Sequence, residues 1–375
     1  MWIKRFYERE GNFLKDKKVN LIYGPRRVGK TELIKLLLQS TDKKVFIGEG
    51  DDIQLRKILS SNDKNKILTV FQDYDIIFID EAQRIKDIAW GLKILVDNLP
   101  QTKIIASGSS SFLLQTQIGE PLTGRNITNL LFPISILELK QEIGGMSIIQ
   151  NLENYLIYGM YPDVLTQTNS KEKKSYLIEL RNSYLLKDIL ELENIRNSDV
   201  MFNLLKLIAF RIGNEVSLSE LGNSLGVAKQ TVARYLDLLE KSFIIKKTGG
   251  FSRNLRKEII KSNRYYFFDN GIRNALINNF NDIDNRNDIG MLWENFVIME
   301  RLKKQEYHKI FCNNYFWRTY DQKEVDFVEE RDGRLFGYEF KWSNKKNKIQ
   351  QEWLRTYENA SFEIINKDNF LSFIS

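Results

Sequence analysis

A multidomain α/β protein that opens on a parallel sheet flanked by helices is predicted by three stretches of this sequence. Residues 18–23, Lys-Val-Asn-Leu-Ile-Tyr, form an apolar strand that runs into a glycine-containing loop and then a helical segment. Residues 74–81 form a second apolar strand that ends on adjacent acids, Asp80 and Glu81. Near the far end, residues 324–328 and 335–342 alternate apolar and polar around Asp332-Gly333, the pattern of a β-hairpin. A chain of 375 residues is too long for one ordinary domain and predicts two or three.

The loop after the first strand is Gly24-Pro25-Arg26-Arg27-Val28-Gly29-Lys30-Thr31, a G-x-x-x-x-G-K-T between strand and helix, as a phosphate-binding loop requires. Gly24 and Gly29 let backbone N–H groups wrap phosphates, and the following helix points its positive end at them. Lys30 is expected to reach the β- and γ-phosphates of ATP, and Thr31 to ligate Mg2+. Such an octapeptide arises by chance, so the second strand carries weight. Asp80 belongs on the Mg2+ shell, and Glu81, one residue farther out, is placed to polarise the attacking water. ATP and Mg2+ are therefore the expected cofactors, with hydrolysis the expected reaction.

A third strand, residues 103–106, leads into Ser107-Gly108-Ser109-Ser110-Ser111 at its carboxyl end, where ligands of parallel sheets gather. Ser107 and Ser109 are candidate phosphate-sensing hydroxyls; a plain turn with helix-capping serines is the alternative. Arg125, in Leu122-Thr123-Gly124-Arg125, is a candidate arginine finger, or else a surface arginine.

Composition narrows the chemistry further. Hydrophobic residues make up 42%, charged residues 28%, and there are 5 prolines, so the chain can build several cores and lacks the signature of disorder. Within this sequence one cysteine, Cys312, and one histidine, His308, leave no intramolecular disulfide, Cys/His zinc cluster or histidine triad. Carboxylates, lysine, arginine, hydroxyls and a hard cation remain. The start, MWIKRFYERE, is too charged for a signal peptide, and no apolar run reaches the roughly 18 residues that cross a bilayer, so a cytoplasmic location without a membrane partner is expected. The excess of the net charge of +7 is concentrated at Lys246, Lys247, Arg253, Arg256, Lys257, Lys261 and Arg264, a patch that suits a polyanionic partner, with an ordinary solvated surface the alternative.

The phosphate loop, the acidic strand end, the serine stretch, the Thr-Gly-Arg and Gly159-Met160-Tyr161-Pro162 together resemble, over nearly the whole chain, a prokaryotic family of AAA-type P-loop ATPases. Members of that family carry a C-terminal winged helix and a restriction-endonuclease-like domain. The resemblance implies an ATPase core over residues 1–132, a helical lid over 133–200, and an Arg125 that acts in trans, hence a homo-oligomer. Met160 departs from the two glycines that usually precede the family's Tyr/Phe-Pro.

In the middle of the chain, Ser217-Leu218-Ser219-Glu220 is a capping box that opens a short helix ending at Leu225, and Gly226 makes the turn. A second helix, 229–241, carries Val232, Leu236 and Leu239 on one face and Lys229, Gln230 and Arg234 on the other. Residues 243–247 and 264–268 flank the basic stretch as a wing would, so 201–270 reads as a winged helix-turn-helix. Lys229, Gln230, Arg234, Lys246, Lys247, Arg253, Arg256 and Lys257 are the candidate DNA contacts, mainly to phosphates. A spacer or protein-docking module is the alternative.

In the last hairpin, pairing Arg331 with Arg334 sets Asp326 opposite Glu339 and Glu324 opposite Lys341. Like charges facing across a ladder repel, so a cation is expected between Asp326 and Glu339, with Mg2+ or Mn2+ the natural candidate. The spacing D-x12-E-x-K resembles the catalytic hairpin of PD-(D/E)XK nucleases. By that resemblance Asp326 and Glu339 hold a metal, Lys341 orients the attacking water, and Glu294, on the helix MLWENFVIMERL, is an added acid. Val325 stands where the name-giving proline would be, and the plain alternative is an ion-paired hairpin or a nuclease fold kept as scaffold.

Residues 271–375 are thus expected to form a small α/β restriction-endonuclease-like domain. The whole predicts a Mg2+-dependent ATPase whose nucleotide state controls a DNA-facing C-terminal half. An ATP-gated DNA nuclease, and a non-catalytic ATP switch docking DNA or a protein, are the competing expectations.

Overall fold

The structure is a computed structural model that describes residues 3–10, 14–39, 41–109, 121–183, 198–252, 263–319, 323–343 and 351–375. Ser110, Ser111, Arg253, Arg256, Lys257 and Lys261 lie outside the described residues. Two compact units emerge, one reaching to Pro133 and taking in Lys241–Phe243, the other formed by Ile134–Glu240 with Ile244–Ser375. Among the described residues no helix is long and apolar enough to cross a membrane.

The N-terminal unit is built on five strands, β1 (Val19–Tyr23), β2 (Val45–Glu49), β3 (Ile76–Asp80), β4 (Lys103–Gly108) and β5 (Asn126–Leu130). They lie in the order β2-β3-β4-β1-β5, every pair parallel. A parallel sheet is covered on both faces, which demands nearly continuous apolar runs; β3 is buried at every residue. Helices Lys30–Gln39, Ile53–Leu59, Lys64–Phe71 and Ile88–Asn98 accompany the sheet. Leu21, Ile77, Ile79 and Ile104 from the strands pack with Leu59, Phe71, Leu92 and Leu95 from the helices into one core. Asp52 and Asp63 start two of these helices by accepting from the Leu55 and Lys66 N–H groups. Because all five strands point the same way, the exits of β1, β3 and β4 share one edge.

The second unit holds one seven-stranded sheet, β6 (Glu215–Val216), β7 (Ile245–Gly250), β8 (Asn263–Phe267), β9 (Asn313–Arg318), β10 (Glu324–Arg331), β11 (Arg334–Phe340) and β12 (Ala360–Ile365). Their order is β12-β11-β10-β9-β7-β8-β6, so residues on both sides of position 270 share a sheet. β8 pairs antiparallel with β6 and β7, β9, β10 and β11 form an antiparallel meander, and β12 runs parallel to β11. Arg331 faces Arg334, and Asp332 and Gly333 take φ of 49° and 70°, the paired left-handed residues of a two-residue hairpin turn. Ahead of β7, helices Ser198–Phe210, Leu218–Leu225 and Lys229–Lys241 follow one another. Ser217 caps the second through the Glu220 N–H, and Gly226 closes it in the left-handed conformation. Val232, Leu236 and Leu239 are buried, while Lys229, Gln230 and Arg234 are exposed.

The helix Ile136–Tyr158 belongs to this same unit, and buried charges hold both its ends. At its start the Glu300 carboxylate accepts from Ile136 N–H at 2.6 Å, and Lys303 donates to Ile134 O at 3.0 Å and to Glu300 at 2.5 Å. At its end the Gly-Met-Tyr-Pro stretch docks on Asp269, which accepts from Met160 N–H at 2.6 Å and Ile272 N–H at 3.2 Å. Burial raises the pKa of Asp269, and the N–H groups oppose that shift. Gly159 has φ of 76°, and a Cβ there would sit 2.0 Å from an Asp269 oxygen.

Gly159→Ala is therefore expected to destabilise this unit by roughly 2–4 kcal/mol, through positive φ and collision with a fixed carboxylate. Gly290→Ala, where an added Cβ meets nothing within 4 Å, should stay within about 1 kcal/mol of wild type, both measured by urea unfolding.

Candidate nucleotide site and carboxylate cluster

The glycine loop turns sharply as it leaves β1. Gly24 has φ of 150°, and a Cβ there would lie 2.0 Å from Leu131 O, just past β5, so no other residue fits. Gly29 has φ of 90°. Beneath the loop runs Arg5, 3% exposed, whose guanidinium donates to Val28 O and, at 2.6 Å, to Phe132 O. This contact has no sequence signal, because Arg5 lies outside every motif.

Lys30 is buried, and its Nζ donates to Gly24 O at 2.9 Å and Pro25 O at 2.8 Å. Burial lowers its pKa to about 8, against the attraction of Glu81 and Asp80. A buried cation whose hydrogen bonds go to loop carbonyls is suited to receive an anion. Beside it, Thr31 Oγ1 donates to Asp80 Oδ2 at 2.6 Å, so a hydroxyl and a carboxylate stand together where a phosphate-bound Mg2+ would need them. The residues present therefore fit a magnesium nucleotide.

Asp80 is steadied on its other oxygen. Ser107 donates to Asp80 Oδ1, and Glu81 N–H donates to the same atom at 3.0 Å and to Ser107 Oγ at 3.3 Å. Glu81 is left-handed, with φ of 46°, which turns its side chain out of the strand alternation. Its carboxylate is gripped by Gln83, whose Nε2 donates to Glu81 Oε2 at 2.5 Å and to Ser109 Oγ at 3.0 Å. Ser109 donates to that Oε2 at 3.3 Å, and Arg26 Nε reaches Ser109 Oγ at 3.4 Å. Gly50 presses its N–H on Asp80 O at 2.7 Å, with no room for a Cβ beside Glu81 O.

Lys30, Thr31, Asp80, Glu81, Ser107 and Ser109 are thus brought together, and Gln83 and Gly50 join them unannounced. Gln83 was within reach of sequence reading, since it follows Glu81 by two residues; Gly50 was not. Arg125 is not brought here. It precedes β5, at the opposite end of the sheet from the loop, where its Nε donates to Asp97 Oδ1 at 2.6 Å.

The second cluster sits in the C-terminal unit. Asp326 is buried on β10 and accepts from Phe340 N–H at 2.9 Å. Tyr266 donates to Glu294 Oε1 at 2.8 Å, and Lys341 Nζ pairs with Glu339 Oε1 at 2.7 Å. Arg264, from β8, enters among them: 2.8 Å from Glu324 Oε2 and 3.9 Å from both Glu294 Oε1 and Asp326 Oδ1. One expectation changes here. Glu324 pairs with Arg264, and Arg264 is no part of a surface basic patch, being 4% exposed with its guanidinium over the Phe316 ring. It lies on β8, between β7 and β6, a strand buried from Arg264 to Phe267, which a run of basic letters does not reveal. A guanidinium from the chain itself therefore stands 3.9 Å from Asp326. Among the described residues no three His, Cys, Asp or Glu side chains are grouped to hold a metal ion.

Burial and the nearby Asp326 raise the Glu294 pKa to about 8, with Arg264 opposing; burial likewise raises Asp326 to about 6, against the Phe340 N–H, Lys341 and Arg264. Burial pulls Lys341 down, but the Glu339 hydrogen bond and Asp326 leave it above its ordinary value. Of the candidate DNA contacts, Lys229, Gln230, Arg234 and Lys247 are exposed. Lys246 is 3.2 Å from Glu240, and Arg253, Arg256 and Lys257 lie outside the described residues.

Two pH effects follow. Lys30 titrates near 8 in the free protein, and a bound triphosphate raises that value toward or beyond the ordinary 10.5; nucleotide binding above pH 8 should therefore take up a proton and weaken as pH rises. Calorimetry at pH 8.5–9 in buffers of differing ionisation heat would read that uptake, as an order-of-magnitude window set by the lysine pKa. For Glu294, the unfolded carboxyl ionises near 4.5 and the folded one near 8, so the folded state binds more protons between them and stability falls as pH rises. Glu294→Gln should flatten that fall between pH 5 and 8, measured by urea unfolding in EDTA.

Residues 16–140 match the family model described as an AAA domain, and residues 149–283 and 289–367 match two domains of unknown function. The chain is similar to an uncharacterised protein of Mycobacterium tuberculosis, 26% identical over 332 residues, covering 86% of this chain and 70% of the relative. It is also similar to an uncharacterised protein of Methanocaldococcus jannaschii, 24% identical over 365 residues, covering 92% and 78%. Among solved structures it is similar to the Thermotoga maritima RuvB Holliday junction branch migration motor, with a TM-score of 0.32 and 19% identity, covering 64% of this chain and 84% of that one. The AAA-domain match and the parallel sheet with its glycine loop agree on a P-loop ATPase type of fold for the N-terminal unit.

Proposed function

We propose that this chain binds ATP with Mg2+ in its N-terminal unit, hydrolyses it, and uses its nucleotide state to control how the C-terminal unit engages DNA. The observation that carries the reading is the meeting of Lys30, Thr31, Asp80 and Glu81 at one sheet edge, with Thr31 and Asp80 2.6 Å apart. Lys30 neutralises phosphate charge, Thr31 and Asp80 orient the cation, Ser107 steadies Asp80, and Glu81 accepts the proton of the attacking water. Magnesium, when bound, supplies charge for the β- and γ-oxygens. Arg125, remote from its own loop, acts only on a second copy's site, which makes the working form an oligomer.

The DNA part rests on the C-terminal unit. Three helices, β6 between the first two, and β7 paired with β8 behind them follow the order of a winged helix, and Lys229, Gln230, Arg234 and Lys247 offer an exposed cationic face. Helix Ile289–Tyr307, the β9-β10-β11 meander, helix Gln351–Thr356 and parallel β12 support a nuclease-like module for residues 271–375. Asp326, Glu339, Lys341 and Glu294 are the residues such a module would use, although among the described residues no three acids are grouped to hold a metal ion. The cation near Glu324, Glu294 and Asp326 comes from the chain itself, Arg264, which favours a scaffold or docking role over phosphodiester cleavage.

Lys30→Ala should weaken MgATP binding by about 100-fold or more, while Glu81→Gln keeps affinity within about threefold and lowers kcat by about 10²–10⁴-fold. Phosphate release and a fluorescent-nucleotide titration measure both. Retained turnover in either variant refutes the site. Unchanged DNA affinity among ATP, ADP and nucleotide-free protein refutes the coupling, and Mn2+-dependent plasmid nicking that Asp326→Ala abolishes would restore the nuclease reading.

A further inference from the structure

We propose that Gln83 is a positioning residue for hydrolysis: its amide ties down one oxygen of Glu81 so that the other is presented to the attacking water. This rests on the ATPase reading and adds a residue to it. Gln83 is 8% exposed, in the turn Ala82–Arg84 directly after β3. Both of its amide hydrogens are spent on the site, one on Glu81 Oε2 at 2.5 Å and one on Ser109 Oγ at 3.0 Å. Ser109 donates to the same carboxylate oxygen at 3.3 Å. Every hydrogen bond the Glu81 carboxylate makes among the described residues thus falls on Oε2, and Oε1 is left over.

The amide's own oxygen tells the same story. Among the described residues Gln83 Oε1 is buried without a hydrogen-bond partner, an arrangement that native proteins seldom keep. Turning the amide over would bring that oxygen against the Glu81 carboxylate, acceptor against acceptor. The orientation is therefore dictated by Glu81, and the orphaned oxygen is the consequence. The Glu81 backbone is held as well, through its N–H on Asp80 and Ser107, so that side-chain rotation is the freedom left to the base. Gln83 removes that freedom.

A general base must sit within hydrogen-bond reach of the proton it takes. When water attacks, its O–H bond breaks, the proton passes to Glu81 Oε1, the oxygen bonds to the γ-phosphorus, and the bond from that phosphorus to ADP breaks, yielding ADP and phosphate.

The test measures MgATP Kd, KM and kcat from pH 5.5 to 9 for wild type, Gln83→Leu and Gln83→Glu. Gln83→Leu should keep Kd and KM within about threefold and lower kcat about 10–100-fold. Gln83→Glu, of nearly the same shape, should bind MgATP and lose more kcat at pH 8 than at pH 6, because its protonated form regains a donor. A Leu variant with wild-type kcat overturns the proposal. So does a parallel loss of Kd and kcat in both variants, which marks a folding contact. Wild-type protein that binds MgATP without releasing phosphate would instead bring down the ATPase reading itself.

Discussion

One constraint organises the N-terminal unit: all five strands run parallel, so their carboxyl ends lie along a single edge. Gly24 leaves β1 there, Asp80 ends β3, and Ser107 lies near the end of β4, although they are scattered over more than eighty residues of sequence. The 2.6 Å hydrogen bond from Thr31 to Asp80 records the outcome, a hydroxyl from the helix start meeting a carboxylate from a strand end. Had any of the three strands been antiparallel, its motif would sit at the other edge, as Arg125 does. Fold and chemistry are coupled at this point, since the helix that follows the glycine loop, with its positive end at that loop, also accompanies the sheet.

Around that edge the polar groups form a chain instead of isolated pairs. Ser107 bonds Asp80, the Glu81 N–H bonds both, Gln83 and Ser109 bond the Glu81 carboxylate, and Arg26 of the loop touches Ser109. A connected network rigidifies what a set of flexible side chains would leave loose. The backbone adds its share: Gly24 and Gly50 are places where a Cβ would strike main-chain oxygen.

The C-terminal unit solves a different electrostatic problem. Buried carboxylates require partners, and here they find them within the chain: Arg264 near Glu294 and Asp326, Arg301 bidentate on Glu329 at 2.5 and 2.9 Å, and Lys303 on Glu300. These pairs also tie distant segments together, since Glu300 and Lys303 clasp the start of the helix Ile136–Tyr158 and Asp269 clasps its end. The Gly-Met-Tyr-Pro stretch, legible as a motif, earns a physical meaning only through Asp269.

What the sequence determined by itself was local. The glycine loop, the acidic strand end, the capping box at Ser217 and the Asp332-Gly333 turn each depend on a few neighbouring residues, and each is found where its spacing required. The hairpin register followed from the turn, because a two-residue loop leaves one pairing. Tertiary structure decided the partners. Whether Glu324 meets Lys341 or Arg264, whether Arg264 faces solvent or core, and that Arg5 props the loop depend on strands and segments far apart in sequence. Spacing encodes which side chains share a face; only the packing of one face on another fixes which charges meet.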